Sequence, residues 1–469
     1  MKILFAASEA VPFIKSGGLA DVVGSLSRAI RNRGHACRVV LPLYDDIPSD
    51  LRKSMKFVTS FRTTLAWRDQ YCGVFQSTVN GVIYYLIDNE YYFKRSGIYG
   101  FYDDAERFAF FSRAVLDLIN HLDFEPDVIH CHDWQTAMVP VYLDVFYRGA
   151  EKLSKVKTVF TIHNIQYQGS FESQVSGDVL GLPECSRSIV EYCGDVNFMK
   201  GAIEQCDALT TVSPTYAEEL FDPWFAHGLD PLIREKSYKL RGILNGIDLK
   251  VYDPQKAPYP LPEGKLKCKA ELREQLGLHA DPCAMLIGMV TRLVSHKGLD
   301  LLQEALPRLM ELPLQLAVLG TGDFRYEQFL REASLQYPGR VAAQLGFDGA
   351  LAEKIYIGAD LFLMPSRSEP CGLAQMIAMR YGTFPLVRVT GGLRDTVRDF
   401  GGEDGNGYNF LSYDSDDMLF AVKRALEDYR NPELWQEHIV AAMDCDFSWS
   451  RSAGEYLALY KELYNTIDS

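Results

Sequence analysis

Residues 359–393, ADLFLMPSRSEPCGLAQMIAMRYGTFPLVRVTGGL, place a helix-spaced segment between two short apolar runs. Ala359–Met364 is almost wholly apolar, as expected of a strand buried on both faces. Pro365–Cys371 is a polar loop with two prolines. Gly372–Tyr381 carries Leu373, Met376, Ile377 and Arg380 at i, i+3, i+4 and i+7. Gly382 stands where a left-handed cap has no steric cost. Phe384–Val389 reads as the second buried strand. Two strands joined through a helix run parallel, so this stretch confines the chain to α/β architectures. Ligands of such sheets bind beyond the carboxyl ends of the strands. That puts Glu369 and the Gly391-Gly392 pair side by side at one rim. Glycines at a helix start bare N–H groups that suit a phosphate. Glu369 repels phosphate but accepts from hydroxyls. The pairing describes a site for a sugar phosphate or nucleotide sugar. An ordinary βαβ turn with a solvated glutamate meets the same spacing.

The rest of the chain alternates in the same way. Lys2–Ala7 is a strand candidate, followed by a Ser8–Gly18 loop containing Lys15-Ser16-Gly17-Gly18. Leu19–Arg33 is amphipathic, with Leu19, Val22, Val23, Leu26, Ala29 and Ile30 on one stripe. Ala36–Leu41 is the next strand. This opening βαβ resembles a dinucleotide fold but lacks the full G-x-G-x-x-G spacing. Further strands are predicted at Val82–Ile87, Asp127–Cys131, Thr158–Ile162, Ala208–Val212 and Arg241–Leu244. A second series comprises Ala284–Val290, Leu314–Leu319, Val341–Leu345, Ala359–Met364 and Phe384–Val389. Asp104–Asn120 and Trp134–Tyr147 read as helices, and Ser448–Asn465 as one long helix. The pattern implies doubly wound parallel sheets with helices on both faces. Asn245–Pro262 has no clear period and reads as a linker. One motif recurs: Gly17-Gly18-Leu19-Ala20-Asp21-Val22-Val23 and Gly391-Gly392-Leu393-Arg394-Asp395-Thr396-Val397 both match G-G-L-x-D-x-V. Two phosphate-ready helix starts, one per half, would follow, although short motifs recur by chance.

Length and charge narrow the function. A chain of 469 residues holds two or three domains. A net charge of −14 argues against nucleic acid or an anionic membrane as partner. An anionic ligand therefore needs a local basic cluster. Arg292 and Lys297 supply one at the end of the Ala284–Val290 strand, where a solvated basic loop is the plain alternative. Lys15 adds a further cation beside Gly17 and Gly18, although an exposed loop lysine needs no explanation. The ten cysteines contain no C-x-x-C pair, which fits reduced thiols. The apolar run Ile3–Ala7 is too short for a signal-peptide core, and no run suffices for a transmembrane helix. A cytoplasmic protein is expected.

His130-Cys131-His132-Asp133-Trp134 and Thr161-Ile162-His163-Asn164 also end strand candidates. A zinc site from His130, Cys131 and His132 is one reading, since alternate strand residues point the same way, but no further ligand pair has metal spacing. Asp133 and His163 fit polar groups at a sugar site, with structural hydrogen bonding as the alternative. Aromatics at Tyr91–Phe93, Tyr99–Tyr102, Trp67 and Trp134 suit either sugar faces or ordinary core.

Together these residues resemble the bacterial-type glycogen synthases and plant starch synthases over nearly the whole chain. The resemblance is carried by Lys15–Val23, His132–Gln135, Thr161–Asn164, Asn245-Gly246-Ile247-Asp248, Arg292-Leu293 with Lys297-Gly298, and Glu369–Leu373 with Gln375. It implies a GT-B fold of two Rossmann-like domains facing across a cleft, at 1–244 and 245–447. It also implies that residues 448–469 form a helix crossing back to the first domain. It implies transfer of glucose from ADP-glucose to the non-reducing end of an α-1,4-glucan, with retention. No cofactor or metal is expected, because Lys15, Arg292, Lys297 and the two Gly-Gly helix starts offset the charge of the diphosphate. Arg292 and Lys297 would hold and stabilise the leaving diphosphate. Lys15, Gly17 and Gly18 would complete the donor site on closure, with Phe347, Cys371, Gly372, Leu373, Gly391 and Gly392. Glu369 would accept from donor hydroxyls, and His163 would lie beside the anomeric carbon. Asp133, Trp134, Asn164 and Asn245 would meet the acceptor or sugar.

Three positions depart from the pattern: His296 for glutamine, Phe347 for tyrosine and Ala374 for threonine. They bear on donor preference. UDP-glucose as donor, another acceptor, or glucan binding without transfer are the competing expectations.

Overall fold

The computed structural model describes residues 1–465. The chain divides into two compact units. One comprises Met1–Asn245 with the chain from Trp449 onward, and the other Gly246–Ser448. Residues 466–469 of the expected last segment lie outside the described residues.

The first unit is built on a nine-stranded sheet. Its strands lie in the order Leu240–Gly242, Ala208–Thr211, Lys157–Ile162, Val128–His132, Lys2–Ala6, Ala36–Pro42, Val82–Asp88, Arg68–Val79 and Lys56–Leu65. The all-parallel expectation needs correcting here. Lys56–Leu65 and Arg68–Val79 form an antiparallel hairpin, and the latter pairs antiparallel with Val82–Asp88. Lys56–Leu65, at the edge, is largely exposed and carries no apolar run, while Arg68–Val79 buries Cys72, Gly73 and Val74 within a short run that the sequence reading passed over. The Trp134–Tyr147 helix is a composite of 3-10, α and π turns.

Chain order reverses between the neighbouring strands Lys2–Ala6 and Val128–His132. This is the switch point where ligands of such sheets are met. The final helix, Trp449–Asn465, belongs to this unit. It is tied down by Arg33 to the Ser450 carbonyl (2.7 Å) and by Tyr460 to His130 (2.7 Å).

The second unit has a six-stranded, all-parallel sheet. Its order is Val341–Leu345, Leu314–Gly320, Met285–Val290, Leu361–Met364, Phe384–Arg388 and Tyr408–Phe410. Its switch point lies between Met285–Val290 and Leu361–Met364. Leu286, Ala317, Leu319, Leu351, Ile355 and Phe362 form part of its core. Helix Lys265–Leu276 has no counterpart in the sequence reading. It buries Lys265, Lys269 and Arg273 alongside the apolar Cys268 and Leu272. Their charges are met by backbone carbonyls, Thr383 and Asp360. Among the described residues, no helix is long and apolar enough to cross a membrane.

Candidate active site

In the second unit the two loops at the switch point carry opposite charges. Lys297 follows Met285–Val290 and Glu369 follows Leu361–Met364, and they form a 2.6 Å ion pair. Glu369 Oε2 also accepts from Ser366 Oγ at 3.1 Å. Both side chains are largely buried, so the pair is little screened. Gly298 makes the approach possible: a Cβ there would lie 2.0 Å from the Pro365 carbonyl oxygen, and its φ is +75°. Arg292, on the same loop as Lys297, is exposed. Arg388 holds the far side by donating to the carbonyls of Ser366 (2.9 Å) and Arg367 (2.5 Å). Gln375 Nε2 fixes Cys371 and Gly372 by donating to both carbonyls at 3.0 Å. Phe347, beyond Val341–Leu345, is 93% exposed, an uncovered ring.

The expected role of Gly392 as a bare phosphate donor needs correcting. Gly392 N–H donates to the carbonyls of Glu369 (3.1 Å) and Pro370 (3.3 Å). A Cβ at Gly392 would fall 2.2 Å from the Cys371 carbonyl oxygen. The glycine is there so that two backbones can meet. The helix it opens, Gly391–Thr396, is only six residues long.

In the first unit, Lys15, Gly17 and Gly18 lie between Lys2–Ala6 and helix Gly18–Asn32. Here too two N–H groups, those of Ser16 and Gly17, are taken. Glu9, 3% exposed, accepts from Ser16 N–H, from Ser16 Oγ at 2.8 Å and from Gly17 N–H at 3.3 Å. Tyr99 OH donates to the same carboxylate at 3.1 Å. Gly17 is therefore not a free phosphate donor. Lys15 pairs with Asp21 at 2.7 Å. Burial pushes the Asp21 carboxyl up, and the lysine opposes this.

At the end of Val128–His132, Asp133 has φ +57° and ψ 178°, a conformation that is strained for a residue with a Cβ. Its Oδ1 accepts from His163 N–H at 2.7 Å. Burial raises its pKa to about 7, against the N–H groups of His163 and Asn164 that stabilise the anion. Burial pushes His163 down to about 3, so its imidazole is neutral. Asn164 Oδ1 accepts from Gln166 N–H at 3.0 Å. Asn245 is 5% exposed, and its Oδ1 is buried without a protein partner. Trp134, expected at the sugar, is covered by Phe108, Phe171 and Phe198 and by the backbone at Gly169. It is a core residue. His130 gives Nδ1 to Tyr460 and Nε2 to Thr161 (2.5 Å), leaving no nitrogen for zinc. Among the described residues, no group of three or more His, Cys, Asp or Glu is placed to hold a metal.

Glu9 and the Lys297–Glu369 pair escaped the sequence reading. Glu9 meets partners as far away as residue 99, and no spacing rule announces that.

Two doubly wound units, each with charged loops at its switch point, define a glycosyltransferase of the GT-B class. A starch synthase catalytic domain model matches residues 2–235, and one for glycosyl transferases group 1 matches residues 270–439. The chain is 48% identical to the glycogen synthase of Desulforamulus reducens over 475 residues, covering 99% of both proteins. It is 47% identical to that of Exiguobacterium sibiricum over 483 residues, covering the whole of each. The catalytic domain of starch synthase IV from Arabidopsis thaliana, bound to ADP and acarbose, matches with TM-score 0.92. Identity there is 35%, over 99% of both chains. Sucrose-phosphate synthase from Thermosynechococcus elongatus shares the fold, with TM-score 0.64 at 19% identity. The chain belongs to the glycogen synthase and starch synthase family, and it is a hexosyltransferase.

Proposed function

We propose that the protein transfers glucose from ADP-glucose to the non-reducing end of an α-1,4-glucan, with retention at the anomeric carbon. The observation that carries this reading is the Lys297–Glu369 pair at the second unit's switch point. A sugar diphosphate offers both charges a partner. The diphosphate meets Lys297 and Arg292, and donor hydroxyls donate to Glu369. As the glycosidic bond breaks, negative charge grows on the diphosphate, so the cations stabilise the transition state more than the ground state. His163, whose imidazole is neutral, and Asp133 are assigned to the sugar. The Arabidopsis relative's bound ADP supports adenine in the donor.

The reaction needs no divalent metal on this reading. Asp414 of Asp414-Ser415-Asp416 caps helix Ser415–Tyr429 by accepting from Asp416 and Asp417 N–H groups, so that D-x-D pair has a structural role. Asp444-Cys445-Asp446 joins two helices.

The test is incubation of the purified protein with labelled ADP-glucose or UDP-glucose and glycogen, before and after EDTA. Label should enter glycogen from ADP-glucose and persist in EDTA. Preference for UDP-glucose, or glucan binding without transfer, would overturn the donor or the activity. Loss in EDTA restored by magnesium would overturn the metal-free mechanism.

A further inference from the structure

His132 has no part in the reaction described above, yet it touches His163. His132 Nδ1 and His163 Nε2 are 3.0 Å apart, with ring centroids 5.3 Å apart. His132 is fully buried, at the last position of strand Val128–His132. Its other nitrogen, Nε2, is buried with no protein partner. Burial keeps both rings neutral, so one nitrogen of the contact carries the proton and the other accepts it.

The two arrangements differ in what they leave unsatisfied. If His163 donated from Nε2, His132 would bind its own proton on Nε2 and bury an N–H without an acceptor. If His132 donates from Nδ1, only a lone pair is left on its Nε2. Orphaned buried N–H groups are rarer than under-satisfied acceptors. The second arrangement therefore wins, and it places the His163 proton on Nδ1. Consecutive residues then hold His163 at two points. Asp133 takes its backbone N–H at 2.7 Å, and His132 takes its ring.

We propose that His132 is a positioning residue for glycosyl transfer: its Nδ1–H holds His163 as the Nδ1–H tautomer, so that His163 presents an N–H donor to the sugar. This rests on the sugar-side reading of His163 above. His130 is the internal control. It lies on the same strand face, with its ring 4.1 Å from that of His132. Its nitrogens are bonded to Tyr460 and Thr161 instead.

The test begins with the full-length wild-type protein labelled with nitrogen-15 in the rings of its nine histidines. Long-range proton–nitrogen spectra report each tautomer, and His163→Gln assigns the signal. The expected result is a protonated Nδ1 and a bare Nε2 on His163. A proton on Nε2 overturns the proposal without recourse to any His132 variant. In the second arm, His132→Leu should mix the His163 tautomers and lower kcat by roughly tenfold, the worth of one hydrogen bond. His132→Asn, whose amide N–H falls near the position of Nδ1, should restore the tautomer and most of the rate. Equal losses in both variants with an unchanged tautomer would make His132 merely structural and overturn the proposal. Undiminished transfer in His163→Gln would instead overturn the sugar-side reading on which it rests.

Discussion

The two G-G-L-x-D-x-V turns are alike in sequence and unlike in what their glycines do. At Gly17 the backbone is extended, with φ −156°, and a Cβ would meet nothing within 4 Å. The N–H groups there are occupied by the Glu9 carboxylate, and a helix of 15 residues follows. At Gly392 a Cβ would collide with the Cys371 backbone, and the N–H binds the carbonyls of the Glu369 loop. The first turn is organised around a built-in anion. The second is a point of contact between two loops, and through it Glu369 is positioned. The equivalent glycines also differ in backbone, Gly17 at φ −156° and Gly391 at φ +44°, so one motif serves two different turns, because tertiary partners decide which property of glycine is used.

The largest effect is expected at the residue the second turn supports. Glu369→Ala leaves Lys297 without its partner. Removing a group that stabilises the transition state costs roughly a hundred- to thousand-fold in transfer rate. Lys297→Ala should lose a comparable amount. The double variant should be hardly worse than either single one, because the two residues act as a unit. Additive losses in a double-mutant cycle would show that the two residues act independently of each other, and near-normal transfer in both single variants would show that the pair is not functional.

Gly392→Ala comes next. The collision with Cys371 must be relieved by moving the Glu369 loop, at a cost of about 1–3 kcal/mol, and activity should fall with stability. A lower denaturant midpoint together with reduced transfer is the expected reading. Wild-type stability would mean that the two loops do not meet as described.

Asp133→Asn gives a pH-dependent effect on stability in the first unit. The folded carboxyl titrates near 7 and the unfolded one near 3.8. The unfolded chain therefore loses its proton first, and Asp133 costs stability increasingly as pH rises from about 4 to about 7. Asparagine keeps the acceptor for His163 N–H and removes the buried charge. The variant should melt several degrees above wild type at pH 8, with the difference closing toward pH 4. A difference that does not vary with pH would contradict the burial argument.

Gly17→Ala should do least to the fold, within about 0.5 kcal/mol. This makes it the sharpest probe of the comparison. A stable variant with full activity confines the role of Gly17 to structure. A stable variant that loses transfer shows that a ligand needs the space a Cβ would fill.

Much was legible in the residues themselves. Apolar runs such as Leu314–Leu319 and Phe384–Val389 are strands because a sheet covered on both faces demands continuous hydrophobicity. The stripe Leu19–Ile30 is a helix because its spacing makes one buried face. Strand-to-helix alternation placed Arg292, Lys297, Glu369, Asp133 and His163 at the ends of strands, which is a matter of chain order. The motifs carried the family. Tertiary structure alone decided the rest. Whether Gly17 and Gly392 have free N–H groups depends on Glu9 and on the Glu369 loop, and whether Trp134 can meet a sugar depends on Phe108, Phe171 and Phe198. The edge strand Lys56–Leu65 left no apolar run to read, and in helix Lys265–Leu276 the buried charges Lys265, Lys269 and Arg273 interrupt the stripe of Cys268, Leu272 and Leu276, since the partners of those charges are backbone groups and side chains far away in the chain. Periodicity reports which face of an element is buried, whereas the atom a buried polar group meets is set by contacts between residues distant in sequence.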